Sequence, residues 1–242
     1  MSMVPALSVK GLRSGYGRGG DIVCGIDLEQ RPETILAVVG PNGSGKSTFV
    51  KTLAGLVPAR AGSIEVTGAD VTSLSPAQRT AAGIAYVPQE GNVFRSMTVG
   101  ENLKLATEFV RGRAGAGLGQ QGLILELFPE IANRRRLLAG NLSGGQRQML
   151  AFACALLSNP EVLLLDEPSA GLSPKFVVEI MQTVQTTRKA GVTIVLVEQN
   201  VSAALAIADE VAVLVAGRVA RHCPTAALDE GELEGLFLGR AA

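Results

Sequence analysis

The run Gly40-Pro41-Asn42-Gly43-Ser44-Gly45-Lys46-Ser47-Thr48 fits the pattern G-x-x-x-x-G-K-[ST], and it constrains the fold more than any other stretch. It follows a β-branched apolar run, "TILAVVG" (34–40), and opens a helical pattern, "KSTFVKTLAGL" (46–56). A glycine-rich turn between a buried strand and a helix lets backbone N–H groups converge, and the helix end adds its partial positive charge, so the turn suits a phosphate. Gly40, Gly43 and Gly45 let the backbone bend into that concavity, with Pro41, Asn42, Ser44 and Thr48 completing it. Lys46 is then placed to reach the β and γ phosphates of a nucleotide, and Ser47 to offer its hydroxyl to Mg²⁺.

Elsewhere, short apolar runs alternate with longer helical patterns, which points to a parallel sheet covered by helices. "VLLLD" (162–166) and "TIVLVE" (193–198) join 34–40 as the clearest strands, apolar enough for central positions. "GSIEVTG" (62–68), "GIAYVP" (83–88) and "EVAVLVAG" (210–217) are further strands. In contrast, "TVGENLKLATEFV" (98–110), "LILELF" (123–128) and "GGQRQMLAFACALL" (144–157) are helical, so a mostly helical subdomain is expected inside the α/β one. The glycine-rich "RGRAGAGLGQQG" (111–122) breaks two of these helices and is expected to be a mobile surface loop.

Composition narrows the function classes. With 242 residues, 47% of them hydrophobic, the chain is long enough for one sizeable core. Its 22 basic residues are balanced by 22 acidic ones, which gives no global attraction for nucleic acid or anionic lipid. Arg134, Arg135 and Arg136 form the one basic run; with aromatic residues at 4%, it is read as a solvated helix end and no nucleic-acid partner is expected. Three separated cysteines and a single histidine, His222, argue against a His/Cys metal site and for reduced thiols in the cytosol. No segment approaches the roughly 18 uninterrupted apolar residues of a membrane helix, and the start of the chain lacks a signal-like pattern.

Two further motifs carry chemistry. "VLLLDEPS" (162–169) delivers Asp166 to the carboxyl edge of the sheet, where a carboxylate can hold Mg²⁺ through its water shell. Glu167 follows at once, and its natural work is to orient and deprotonate the water that attacks the γ phosphate. "NLSGGQRQ" (141–148) places Ser143 as a helix N-cap, and Gly144 and Gly145 are expected to leave the first N–H groups bare for a second phosphate contact.

"LSGGQ" lying between such a phosphate loop and such a "VLLLDE" strand resembles the signature of ATP-binding cassette (ABC) ATPases, and the likeness covers essentially the whole chain. The resemblance implies an α/β P-loop NTPase fold with a RecA-like parallel-sheet core, an antiparallel β subdomain and an inserted helical signature subdomain. Residues 1–88 and 159–242 would form the core with its β subdomain, and 89–158 the helical part. It also implies ATP and Mg²⁺ as cofactors. Two cassettes would associate head to tail, so that Ser143, Gly144, Gly145 and Gln146 of one cover the ATP held by the other. By the same resemblance Tyr16 stacks on adenine, and Gln89 senses the γ phosphate and Mg²⁺ where the membrane subunit docks. "SAGLS" (169–173) then crosses the dimer interface, although it lacks the aspartate common there. Where many members have a switch histidine this chain has Gln199, and His222 is read as structural.

"VEQN", "VFRSMTVGENL" (93–103) and "ELFPEIANRR" (126–135) resemble one of the two ATPase subunits of importers for branched-chain amino acids, or of related urea and amide importers. The implied partners are a second ATPase subunit as homo- or heterodimer, integral membrane permease subunits and, indirectly, a periplasmic or extracellular solute-binding protein. The implied location is the cytoplasmic face of the membrane. The competing readings are an exporter or lipid-extraction ATPase, a soluble non-transport ABC ATPase, which would need a coiled coil or a second cassette in the chain, and a kinase, against which "LSGGQ" counts.

Overall fold

A computed structural model describes residues 4–108 and 127–237. The expected loop at 111–122 and most of the expected helix at 123–128 lie outside the described residues. A six-stranded sheet forms the centre, in the order β10-β9-β3-β8-β7-β6, from β3 (Ile35–Val39), β6 (Ile84–Val87), β7 (Val162–Asp166), β8 (Thr193–Val197), β9 (Glu210–Val215) and β10 (Arg218–Pro224). All neighbours run parallel except β10, which returns antiparallel to β9. Every residue of β3, β7 and β8 is buried, as expected of strands covered on both faces.

Because side chains alternate across a strand, each of these strands feeds two cores. Ile35, Ala37 and Val39 join Leu163, Leu165, Ile194 and Leu196 under the helices α3 (Val99–Glu108), α5 (Gly144–Leu156) and α6 (Pro174–Lys189). Leu36 and Val38 join Leu164, Val195 and Val197 on the opposite face, beneath α1 (Lys46–Leu53) and a four-stranded antiparallel sheet of order β2-β1-β4-β5. That second sheet comprises β1 (Leu7–Ser14), β2 (Val23–Gln30), β4 (Ala59–Val66) and β5 (Ala69–Asp70). Both surfaces that hold α1 in place are therefore apolar and fully packed, which fixes the helix whose first residue is Lys46.

The other end of α1 is held by Arg79, in the short helix α2 (Pro76–Ala81). Its side chain is almost fully buried and donates to the carbonyls of Thr52 (2.6 Å), Leu53 (2.8 Å), Leu74 (3.1 Å) and Thr72 (2.6 Å). One guanidinium thus satisfies carbonyls at the C-terminal end of α1 and ties that end to the antiparallel sheet. Arg79→Ala would strand these acceptors, and we expect a loss on the order of 3 kcal/mol in urea unfolding, with the slope of the transition unchanged.

Several strand ends differ from expectation, two of them because a turn intervenes. β4 runs from Ala59 to Val66, and the expected Thr67-Gly68 instead forms a turn with φ of 48° and 82°. Likewise β9 stops at Val215, because Ala216 and Gly217 (φ 47° and 75°) turn the chain into β10. Left-handed pairs of this kind suit hairpin connections.

Candidate functional site

The phosphate loop lies where β3 meets α1. Gly40 has φ 154°, and a Cβ on it would stand 2.1 Å from the carbonyl oxygen of Leu214, so the close approach of the two strands requires glycine. Gly43 and Gly45, at φ 78° and 102°, curve the backbone around a hollow of about 360 Å³. Ile22, Asn42, Gly43, Lys46, Ser47 and Glu167 are among its walls. Lys46 is only 4% exposed, and its Nζ donates to the carbonyls of Gly40 (2.8 Å) and Pro41 (3.0 Å). Burial pulls its pKa down, while the negative charges of Glu167 and Asp166 push back. The ammonium is thus held folded over the loop, with donors to redirect towards an entering anion. Thr48 and Ser44 are buried, the latter with an unpartnered hydroxyl, and Ser47 is half-buried at the wall of the hollow.

Asp166 ends β7 at the same sheet edge. Its Oδ2 accepts from the Tyr86 hydroxyl at 3.0 Å, and its Oδ1 is buried with no hydrogen-bond partner among the described residues. Burial first, then the facing carboxylate, pushes the Tyr86 phenol far above its ordinary pKa, so the tyrosine acts as a fixed donor. Glu167, the next residue, adopts φ 48°, a left-handed conformation that costs a non-glycine residue about 1 kcal/mol or more. Its N–H donates to the Val197 carbonyl (2.9 Å), which holds it there. The Glu167 side chain accepts at Oε2 from the Gln89 amide (3.3 Å). Two residues past β8, Gln199 donates to the Asn42 side chain (3.2 Å). The structure therefore brings Gln89, Glu167, Lys46, Asp166 and Gln199 around one loop. Tyr16 is 52% exposed, on a loop whose carbonyls at Tyr16, Gly17 and Gly19 accept from Arg60.

The second motif stands apart: neither Ser143 nor its glycines line the hollow. Ser143 caps α5, accepting from the Gln146 N–H at 3.2 Å, while Gln146 Oε1 accepts from the Ser143 N–H at 3.1 Å. Ser143 and Gly144 are exposed. One expectation needs correction. Gly145 is not bare but buried under the ring of Phe176, which a Cβ would meet at 2.3 Å. Gln146 Nε2 also donates to Glu130 (3.1 Å), in addition to closing the cap.

Among the remaining candidates, His222 lies on β10 with Nε2 3.1 Å from Glu210, which also accepts from Arg31 at 2.8 Å. Arg134, Arg135 and Arg136 are solvent-exposed in the turn after the helix α4 (Pro129–Ala132). Sequence reasoning missed Tyr86, Arg60, Arg79 and Phe176. Only Tyr86 carried a signal, a phenol inside an otherwise apolar strand.

A model of the ABC transporter family matches residues 23–170. The "Probable branched-chain amino acid transport ATP-binding protein LivF" of Archaeoglobus fulgidus is 46% identical over 215 residues, 86% of this chain and 88% of that protein. The "High-affinity branched-chain amino acid transport ATP-binding protein BraG" of Pseudomonas aeruginosa is 40% identical, over 84% of this chain and 86% of its own length. Among solved structures, the dimeric post-hydrolysis state of an ATP-binding cassette bound to ADP and Pi is similar at a TM-score of 0.75 and 26% identity, over 90% and 98% of the two chains.

Proposed function

The chain belongs to the ABC transporter family, and from that premise we propose that it is the ATP-binding and hydrolysing subunit of an importer for branched-chain amino acids or similar small solutes. The observation that carries this reading is the 46% identity, over most of both chains, to a protein named for branched-chain amino acid transport. In support, no helix among the described residues is long and apolar enough to cross a membrane, so the transport path would belong to separate permease subunits. Phe94, five residues past Gln89, is 59% exposed and offers an apolar foothold for such a partner.

In the proposed mechanism the phosphate loop and Lys46 bind the triphosphate of ATP, while Tyr16 offers its exposed ring to the adenine. Mg²⁺ fits this donor set: Asp166 Oδ1 is buried and unpartnered, and the Ser47 hydroxyl stands at the wall of the hollow. When bound, the ion would neutralise charge on the β and γ phosphates. Tyr86 fixes the Asp166 carboxylate, Glu167 takes the proton of the attacking water, and Gln89 holds the Glu167 side chain towards the loop. Gln199 can donate to the γ phosphate but cannot carry a proton, which leaves Glu167 as the base. The exposed Ser143-Gly144 turn would cover the nucleotide of a second cassette, as two-fold symmetry allows. Closing and reopening of the pair would drive the permease from the cytoplasmic side of the membrane.

Purifying the chain from its native membrane with its permease, and measuring ATP hydrolysis against candidate solutes, tests the reading. Hydrolysis stimulated by a solute-binding protein loaded with leucine, isoleucine or valine is the expected result. Stimulation confined to an exported lipid would contradict it.

A further inference from the structure

Glu198 is a buried carboxylate that the mechanism above leaves unused. It follows β8 directly, is 1% exposed and pairs with no cation among the described residues. Its Oε1 accepts from the Ser169 N–H at 2.9 Å, and its Oε2 more weakly from the Asn200 N–H at 3.4 Å. Burial holds the carboxyl above its ordinary pKa, against the pull of the Ser169 hydrogen bond. Such a group is costly to bury, and a purely structural site would more cheaply take an apolar side chain of the same size.

What this carboxylate joins is specific. On one side its neighbour in sequence, Gln199, reaches the phosphate loop at Asn42. On the other, Ser169 opens the loop Ser169–Ser173, whose residues Ala170, Gly171 and Ser173 are exposed. The path from Asn42 through Gln199 and Glu198 to Ser169 is therefore a continuous run of hydrogen bonds and one peptide link. We propose that Glu198 is a positioning residue that ties the Gln199 side of the nucleotide site to the loop Ser169–Ser173, so that γ-phosphate occupancy sets that loop's position. The inference rests on the proposed reading of that loop as the segment facing a second cassette. In that loop, which lacks an aspartate of its own, the carboxylate behind it supplies the anchor.

Glu198→Leu removes the acceptor without leaving a void, and Glu198→Gln keeps an acceptor oxygen for Ser169. In the transporter assembled with its permease, the Leu variant should keep ATP affinity within about threefold, lose about tenfold in kcat, and lose ATP cooperativity. The Gln variant should stay within about twofold of the parent on all three. Independently of turnover, hydrogen exchange at the Ser169 amide should quicken about tenfold in the Leu variant and not in the Gln variant. A Leu variant with parental kcat, cooperativity and Ser169 protection overturns the proposal, and so does a Gln variant as impaired as the Leu one. If the Leu variant does not fold, Glu198→Asp, too short to reach Ser169, takes its place with the same expected losses. Glu167→Gln separates this inference from the reading beneath it. Turnover that survives in that variant removes the site assignment itself, whereas stalled turnover there with a normal Leu variant removes only the role of Glu198.

Discussion

Glu167→Gln is expected to lower kcat by about 10²- to 10⁴-fold, the usual contribution of a positioned general base, while ATP affinity stays within about threefold. The geometry separates the two effects. Glu167 is held in a left-handed conformation at the wall of the hollow by its own N–H bond to Val197, so the amide can occupy the same place. It still faces Gln89 but no longer accepts a proton from water. Because ATP then binds without being cleaved, the chain should accumulate as a nucleotide-loaded pair, seen as a doubled mass in light scattering. Stopped-flow phosphate release together with scattering checks both halves. Normal turnover would remove Glu167 as the base, and stalled turnover in a permanent monomer would remove the pairing.

Lys46→Ala acts one step earlier. Its ammonium is desolvated against the loop and already hydrogen-bonded to Gly40 and Pro41, so transfer to phosphate oxygens needs little reorganisation. Charge-assisted bonds to phosphate in such a site are worth about 3 kcal/mol or more, which corresponds to at least a hundredfold loss in ATP affinity by titration. The fold should survive, because removing Lys46 relieves a buried charge whose side-chain hydrogen bonds among the described residues are to carbonyls of the hollow's own loop.

The sequence made the inner strands legible for a physical reason: β3, β7 and β8 are buried on both faces and read as near-continuous apolar runs. β1 was not, because its register shifts between Val9 and Leu12 and breaks the alternation that would have announced it. Similarly, the first half of β4, Ala59-Arg60-Ala61-Gly62, is largely exposed and holds no large apolar residue, so its start carried no apolar signal. The phosphate loop was readable because its glycines answer to backbone geometry, which is local. Gly145 shows the limit of that logic. From sequence it was one more glycine at a helix start, and only the tertiary structure reveals Phe176, from the first turn of α6, seated on it. Glu198 was equally silent, since a carboxylate at the end of a strand reads the same whether it meets water or a buried N–H. Arg79 gave no warning either, because its four carbonyl partners come from two separate segments, Thr52-Leu53 and Thr72–Leu74.

The central claim is that one nucleotide is held by the phosphate loop of one cassette and the exposed Ser143 turn of another. It is tested most directly by mixing two defective forms of this chain, Lys46→Ala and Ser143→Arg, and measuring ATP hydrolysis. Each form alone should be inactive. In the mixed pair, one site combines both lesions, while the other combines the intact Lys46 of one subunit with the intact Ser143 turn of its partner. Hydrolysis should be restored in an equal mixture, to about half of the parental rate per mixed pair and so about a quarter of it for the mixture as a whole, since random pairing makes about half of the pairs mixed. A mixture no more active than its two components, under conditions where the parent chain pairs and turns over, would contradict it.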